Sequence, residues 1–182
     1  MAGMELTGKV AVVTGSSSLS RSAASALAEA GADIVLATGD TAHTAEVDRF
    51  VGVLGKRSLL VPTMLTDLQS FQELAEKVIS TFGKIDILVN GGGKEFAKPC
   101  LETGQEEWHK VLNSNLTAAF FACQAVGKHM LRAKRGTIIN LISGLSARAA
   151  PNYSAYCAAM GGIHQFSRAL SLEWARKGIR IN

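Results

Sequence analysis

Hydrophobic and polar positions along this chain alternate between two periods. Continuous β-branched or apolar runs occur at Lys9–Thr14 (KVAVVT), Asp33–Ala37 (DIVLA), Ser58–Val61, Ile85–Val89 (IDILV) and Thr137–Leu141 (TIINL). Short apolar runs bounded by turn residues suit strands buried on both faces of a parallel sheet. Stretches of helical composition lie between them. Ser22–Ala30 is rich in Ala and Leu and is followed by Gly31, where a helix C-terminal glycine belongs. Further helices are predicted near Ala42–Leu54, over Leu68–Phe82 with Asp67 as its N-cap, over Glu106–Arg132 as one long helix, and over Asn152–Arg176.

Strand and helix alternating at these lengths imply right-handed crossovers, and so an α/β fold of three layers around a doubly wound parallel sheet. In such a sheet the ligand site lies at the carboxyl ends of the strands. A single domain over residues 1–182 is expected. The chain ends at GIRIN, inside a beginning sixth strand, so a truncation that leaves out a C-terminal strand and substrate loop is expected as well.

Composition narrows the function classes. With 47% hydrophobic and 19% charged residues, the 182-residue chain can bury one core. Met1–Lys9 lacks the apolar stretch of a secretory signal, and no run approaches the ~20 apolar residues that span a bilayer, so a cytoplasmic protein with no membrane partner is expected. Cys100, Cys123 and Cys157 are far apart and lack zinc spacing, which predicts reduced, mostly buried thiols. The net charge of +4 gathers partly at Arg132, Lys134 and Arg135 and at Arg176, Lys177 and Arg180, near predicted helix ends where cations complement the dipole. No aromatic residues are interleaved with these charges, so no nucleic-acid partner is expected. His43, His109, His129 and His164 form no metal-binding pattern, and no metal is expected.

The motifs carry the chemistry. Leu6–Gly15 (LTGKVAVVTG) leads into a serine-rich turn; Asp86–Asn90 (DILVN), Asn113–Leu116 (NSNL), Ser143, Tyr156 thirteen residues later, and Ser171–Asn182 (SLEWARKGIRIN) follow. Taken singly, such a tyrosine, serine or asparagine is an ordinary core, turn or surface residue. In this order and spacing, the set resembles the short-chain dehydrogenase/reductase family of Rossmann-like oxidoreductases, over nearly the whole chain. The resemblance implies hydride transfer between NAD or NADP and a small-molecule carbonyl or alcohol. It implies Tyr156 as proton donor and acceptor, Ser143 as the group that holds the substrate oxygen, and Asn115 as the helix-borne residue of a proton relay. It also implies cofactor contacts from Gly15, Ser16, Ser17, Ser18 and Leu19 in the phosphate turn. Thr38 after the second strand, Leu65 after the third, Asn90 and Gly91 after the fourth, and Tyr156 itself complete that set. A tyrosine of ordinary pKa, ~10, needs nearby positive charge to act as a base at neutral pH.

Four departures from the family pattern bear on activity. The family's lysine four residues after the tyrosine, whose charge lowers the tyrosine pKa, is Met160 here. The turn T-G-x-x-x-G-x-G reads Thr14-Gly15-Ser16-Ser17-Ser18-Leu19-Ser20-Arg21, one residue short, with Ser20 in place of a glycine. Side chains at Leu19 and Ser20 are therefore expected to crowd the pyrophosphate. Met64-Leu65-Thr66-Asp67 lacks the polar adenine contact of a D-V-T-D-like stretch, and N-N-A-G appears as Asn90-Gly91-Gly92-Gly93. The choice between NAD and NADP stays open, because Thr38 and Gly39 supply neither the acid nor the base that reads the ribose, and Asp40 lies one or two positions late. Two alternatives to a weakly active oxidoreductase are a silent scaffold, a homo-oligomer through the two long helices, and a fragment without settled function.

Overall fold

A computed structural model describes residues 5–40 and 45–182; Met1–Met4 and Thr41–Thr44, with His43 and the start of the second predicted helix, lie outside the described residues. Six strands form one parallel sheet: β1 Val10–Thr14, β2 Asp33–Thr38, β3 Ser58–Pro62, β4 Ile87–Asn90, β5 Gly136–Asn140 and β6 Ile179–Ile181. Their order is β3-β2-β1-β4-β5-β6. The chain thus winds outward from β1 to β3, then returns to pair β4 against β1 and winds the other way. The reversal puts a crevice between the carboxyl ends of β1 and β4, where Thr14 pairs with Asn90.

The helices are α1 Ser18–Glu29, α2 Ala45–Val53, α3 Leu68–Phe82, α4 Gln105–Leu112, α5 Ala118–Ala133 and α6 Ser154–Trp174. Alternate residues of each strand serve opposite layers, as the two-residue repeat of a strand requires. Val10, Val12, Val35, Leu88 and Ile138 pack with Phe71 and Leu74 of α3 and Val126 and Met130 of α5. Ala11, Val13, Ile34, Leu36 and Val89 pack with Ala24 and Ala28 of α1 and Val47 and Val51 of α2. The expected three-layer, doubly wound architecture is the one observed. No described helix is long and apolar enough to cross a membrane.

Three local expectations are corrected. The long helix over Glu106–Arg132 is two α-helices joined by a π-helical turn, Asn113–Thr117. α1 starts at Ser18 rather than Ser22, because the Ser17 hydroxyl accepts the Ser20 N–H at 3.1 Å and caps the helix inside the serine run. The thiols are not mostly buried: Cys100 is exposed on a surface 3-10 turn, Cys157 is half-buried, and only Cys123 is buried. Burial pushes the Cys123 thiol up to about 12, so it stays protonated. The basic residues also do more than face helix dipoles. Arg135, with Lys9 and Lys84, surrounds the buried Asp86 at 3.3–3.9 Å, and Asp86 accepts the Val10 N–H at 3.0 Å, closing the amino end of the sheet.

Asp67 caps α3 as expected, accepting the N–H groups of Gln69 and Ser70 at 3.3 and 3.0 Å. Asp67→Ala therefore costs about 1 kcal/mol of stability. It is measured as a lower urea midpoint with an unchanged slope; an unchanged midpoint would show that the cap contributes nothing.

Candidate active site

The phosphate turn is built from contacts between two glycine-rich ends. Gly15 has φ +84, and a Cβ there would come within 2.6 Å of Gly92 Cα, so β1 and β4 deliver their turns into backbone contact. Ser20 is 1% exposed. Its hydroxyl donates to Gly91 O at 2.9 Å, and the Ser17 hydroxyl reaches the same carbonyl at 3.2 Å. A Cβ at Gly91 would collide with Ser20 Oγ. The expectation that Ser20 crowds the pyrophosphate is thus corrected: it lies beneath the turn, in space that Gly91 leaves free. Leu19 is 56% exposed and points away from the core, while Ser16, Ser17 and Ser18 line the rim.

The remaining cofactor candidates fall on the same row of strand ends. Thr38 is buried, and its hydroxyl accepts the Asp40 N–H at 3.1 Å. Ser16 Oγ lies 3.5 Å from Asp40 Oδ2, so a carboxylate stands where β2 meets the turn. Leu65 covers Gly92, whose Cβ would come within 2.6 Å of Leu65 Cδ1. Asn90 is buried and donates to Asn140 Oδ1 at 2.8 Å; Asn140 donates to Ser167 Oγ at 2.7 Å, and Ser167 to Ile163 O at 2.7 Å. That chain ties β4 and β5 to α6. A crevice floored by glycine backbone and opened by an α-helix N-terminus fits the pyrophosphate of a dinucleotide. Toward α6 the site has the Tyr156 hydroxyl and, in place of the family's ammonium, the buried Met160 thioether.

The three candidate catalytic residues come from three elements. Asn115 is 2% exposed and lies in the π-helical turn. Its Nδ2 donates to Val111 O at 2.8 Å and to Lys94 O at 3.2 Å. A side-chain amide that takes the carbonyl four residues back displaces the helical ladder, which accounts for the π turn. Ser143 follows β5 and caps a short 3-10 turn, accepting the Leu145 N–H at 3.2 Å. Tyr156, half-buried on the first turn of α6, lies close enough to Ser143 for that side chain to lower its pKa. Ser143 and Tyr156 are therefore brought together; Asn115 sits deeper, bonded to backbone.

Met160 is 4% exposed, one turn on from Tyr156, and its sulfur accepts the Ser143 N–H at 3.5 Å. It holds the serine turn but brings no charge. Burial, and then the charge of Glu95, raise the Tyr156 pKa above its ordinary value, and Ser143 lowers it only in part. Glu95 and Tyr153 escape sequence reasoning: the Tyr153 hydroxyl donates to Glu95 Oε1 at 2.8 Å, and the Tyr153 and Tyr156 rings meet edge-on at 6.3 Å. The one sequence signal is Tyr153 standing three residues before Tyr156, on the same helix face.

The Ser20–Gly91 contact predicts a coupled pair. Gly91→Ala costs about 1–3 kcal/mol by overpacking against Ser20, and adding Ser20→Gly recovers most of it. Urea unfolding of the two single variants and the double variant measures the coupling; additive costs would remove the contact from the explanation.

Comparison with known proteins agrees with this geometry. Residues 9–182 match the family model for short chain dehydrogenase. The chain is 38% identical over 182 residues to a D-threitol dehydrogenase of Mycolicibacterium smegmatis, covering 97% of this chain and 68% of that one. It is 34% identical to a 2-dehydro-3-deoxy-D-gluconate 5-dehydrogenase of Escherichia coli, covering 100% of this chain and 72% of the relative. Among solved structures, an NAD+-bound xylitol dehydrogenase superposes with a TM-score of 0.94 at 28% identity, over 97% of this chain and 69% of that one. With the doubly wound sheet, the strand-end crevice and these matches together, the chain belongs to the short-chain dehydrogenase family of NAD(P)-dependent oxidoreductases.

Proposed function

We propose that this chain interconverts an alcohol and a carbonyl slowly, with Tyr156 as proton donor and acceptor, Ser143 as the holder of the substrate oxygen, and Asn115 as a positioning residue. The observation that supports slow turnover is Met160, buried beneath Ser143 where a cation would be needed. When bound, the dinucleotide supplies the hydride acceptor or donor. In oxidation, the substrate hydroxyl proton passes to Tyr156 Oη as the carbon loses hydride; in reduction, Tyr156 Oη returns a proton to the new alkoxide oxygen. Ser143 Oγ hydrogen-bonds that same oxygen and keeps it within reach of the tyrosine. Asn115 holds the π turn open and anchors Lys94 O, which sets the loop after β4.

For the cofactor, Gly15, Ser16, Ser17, Ser18 and Leu19 would face the pyrophosphate, and Leu65, Asn90 and Gly91 the adenosine. Thr38 with Asp40 would face the ribose. A carboxylate beside the turn accepts a ribose 2′-hydroxyl and repels a 2′-phosphate, which favours NAD over NADP. The named substrates of the relatives suggest two classes, uncharged polyols and sugar acids.

A silent family member is the second reading, supported by the same Met160. Titration of the protein with NADH and NADPH, followed by fluorescence and thermal shift, separates the two: micromolar binding supports the oxidoreductase, and no binding of either at millimolar cofactor selects the silent scaffold. Where turnover is found, kcat/KM for alcohol oxidation rises with pH to a midpoint above tyrosine's ordinary value of 10.0, since the tyrosinate is the base and its pKa is raised. Met160→Lys moves that midpoint down and increases the neutral-pH rate by on the order of 10²-fold. A pH-independent rate, or no gain from the lysine, would remove Tyr156 from the role.

A homo-oligomer through α5 and α6 is proposed as well. Phe120 is 43% exposed with its ring 5.7 Å from that of Phe166, and Leu172 on α6 is 85% exposed. Size-exclusion chromatography at micromolar concentration is expected to give a dimer or larger, and Phe120→Asp to give a monomer.

A further inference from the structure

The loop after β4 carries a carboxylate to the candidate proton donor. Asn152, in the left-handed conformation with φ +70, turns its carbonyl to accept the Lys98 N–H at 2.7 Å, which pins the loop against the start of α6. The same contact brings Glu95 to Tyr153, whose hydroxyl donates to Glu95 Oε1 at 2.8 Å while its ring lies edge-on to Tyr156. The charge of Glu95 reaches both hydroxyls and raises the pKa of each: of Tyr153 chiefly by accepting its hydrogen bond, and of Tyr156 after burial.

Of the lysines near Glu95, one is held by another carboxylate. Lys98 Nζ is bonded to both oxygens of Glu107 at 2.9 and 2.8 Å. Lys94 and Lys110 share with Glu95 a cavity of about 630 Å3 lined also by Phe96, Val111 and Ser114, and the charge that shifts Tyr156 is that of Glu95. The position where a lysine would offset Glu95 from below is filled by Met160. At the Tyr156 hydroxyl the charge that acts is that of Glu95.

We infer that Glu95, positioned by Tyr153, selects the substrate: it accepts uncharged, hydroxyl-rich alcohols, whose hydroxyl groups can donate to the carboxylate, and turns away substrates that carry a carboxylate or phosphate near the reacting carbon. The inference rests on Ser143 and Tyr156 being the pair that receives the reacting oxygen. A polyol hydroxyl replaces or joins the Tyr153 hydroxyl at a lone pair of Glu95, whereas a substrate anion meets a like charge.

Two measurements test this, and they fail separately from the oxidoreductase reading. The first needs neither cofactor nor turnover. The chain has two tyrosines, Tyr153 and Tyr156, so the tyrosinate absorbance of a chain with Tyr156, less that of its Tyr156→Phe counterpart, reports Tyr156 with the Tyr153–Glu95 hydrogen bond in place. Glu95→Gln is expected to lower its midpoint, and more so at low salt than at high salt; an unchanged midpoint would place Glu95's field elsewhere and overturn the inference. The second compares threitol with threonate, a polyol and its matched acid, in calorimetric binding to the NADH- or NADPH-saturated protein and, where turnover occurs, in kcat/KM. The wild type is expected to prefer threitol by about tenfold, as one like charge near a substrate anion supplies at a partly solvated site. Glu95→Gln removes the preference and Glu95→Lys reverses it. Equal handling of the two compounds, a preference for threonate, or binding of neither overturns the inference. Failure of NADH and NADPH to bind, with the Tyr156 midpoint still moved by Glu95→Gln, overturns the oxidoreductase reading and the substrate selection built on it, but leaves the field of Glu95 standing.

Discussion

The close approach of the β1 and β4 turns is the constraint on which the rest of the site depends. Gly15 and Gly92 meet backbone to backbone, and Ser20 fits only because residue 91 has no side chain. That contact closes the floor of the crevice, against which the Ser17-capped start of α1 and the loop after β4 are set. The loop in turn carries Lys94 O to Asn115 and Glu95 to Tyr153. A looser approach would move both the phosphate turn and the carboxylate beside Tyr156, although neither residue of the Ser20–Gly91 pair touches the tyrosine.

The same pair marks how far the sequence could be read. The strands, and helix α3 with its Asp67 cap, were legible, because each is a continuous pattern with its own period and its own stop signals. Ser20 and Gly91 were each legible as a departure from the family pattern, yet as two separate defects. They are 71 residues apart, and only the β1–β4 register makes them neighbours, so local reading assigned a clash where the structure has a fit. Packing density in the interior makes this kind of paired exchange the cheaper one, since added volume at one position must be given back at another.

Asn113–Thr117 was illegible for a different reason. Its residues have helical periodicity, and the break comes from one amide, Asn115 Nδ2, taking Val111 O from the backbone ladder. Periodicity records which face is apolar, not which donor wins a carbonyl. Glu95 was hidden by its ordinariness: an exposed acid in a loop carries no pattern, and its importance comes from Asn152, whose left-handed backbone binds the loop to α6.

Met160 was the departure read most directly, and the structure changes its meaning. As a sequence feature it is a missing charge. In the fold it is a buried thioether that accepts the Ser143 N–H, so the serine turn keeps its support after the cation is gone. What changes is the sign of the field at Tyr156: a nearby ammonium would favour the tyrosinate, whereas burial and Glu95 favour the phenol. On the proposed assignment, the resting site is thus a protonated tyrosine beside a serine. That state already holds the proton an alkoxide needs and lacks the base an alcohol needs. On that assignment a protonated Tyr156 can give its proton to an alkoxide, whereas taking one from an alcohol requires that it first lose its own.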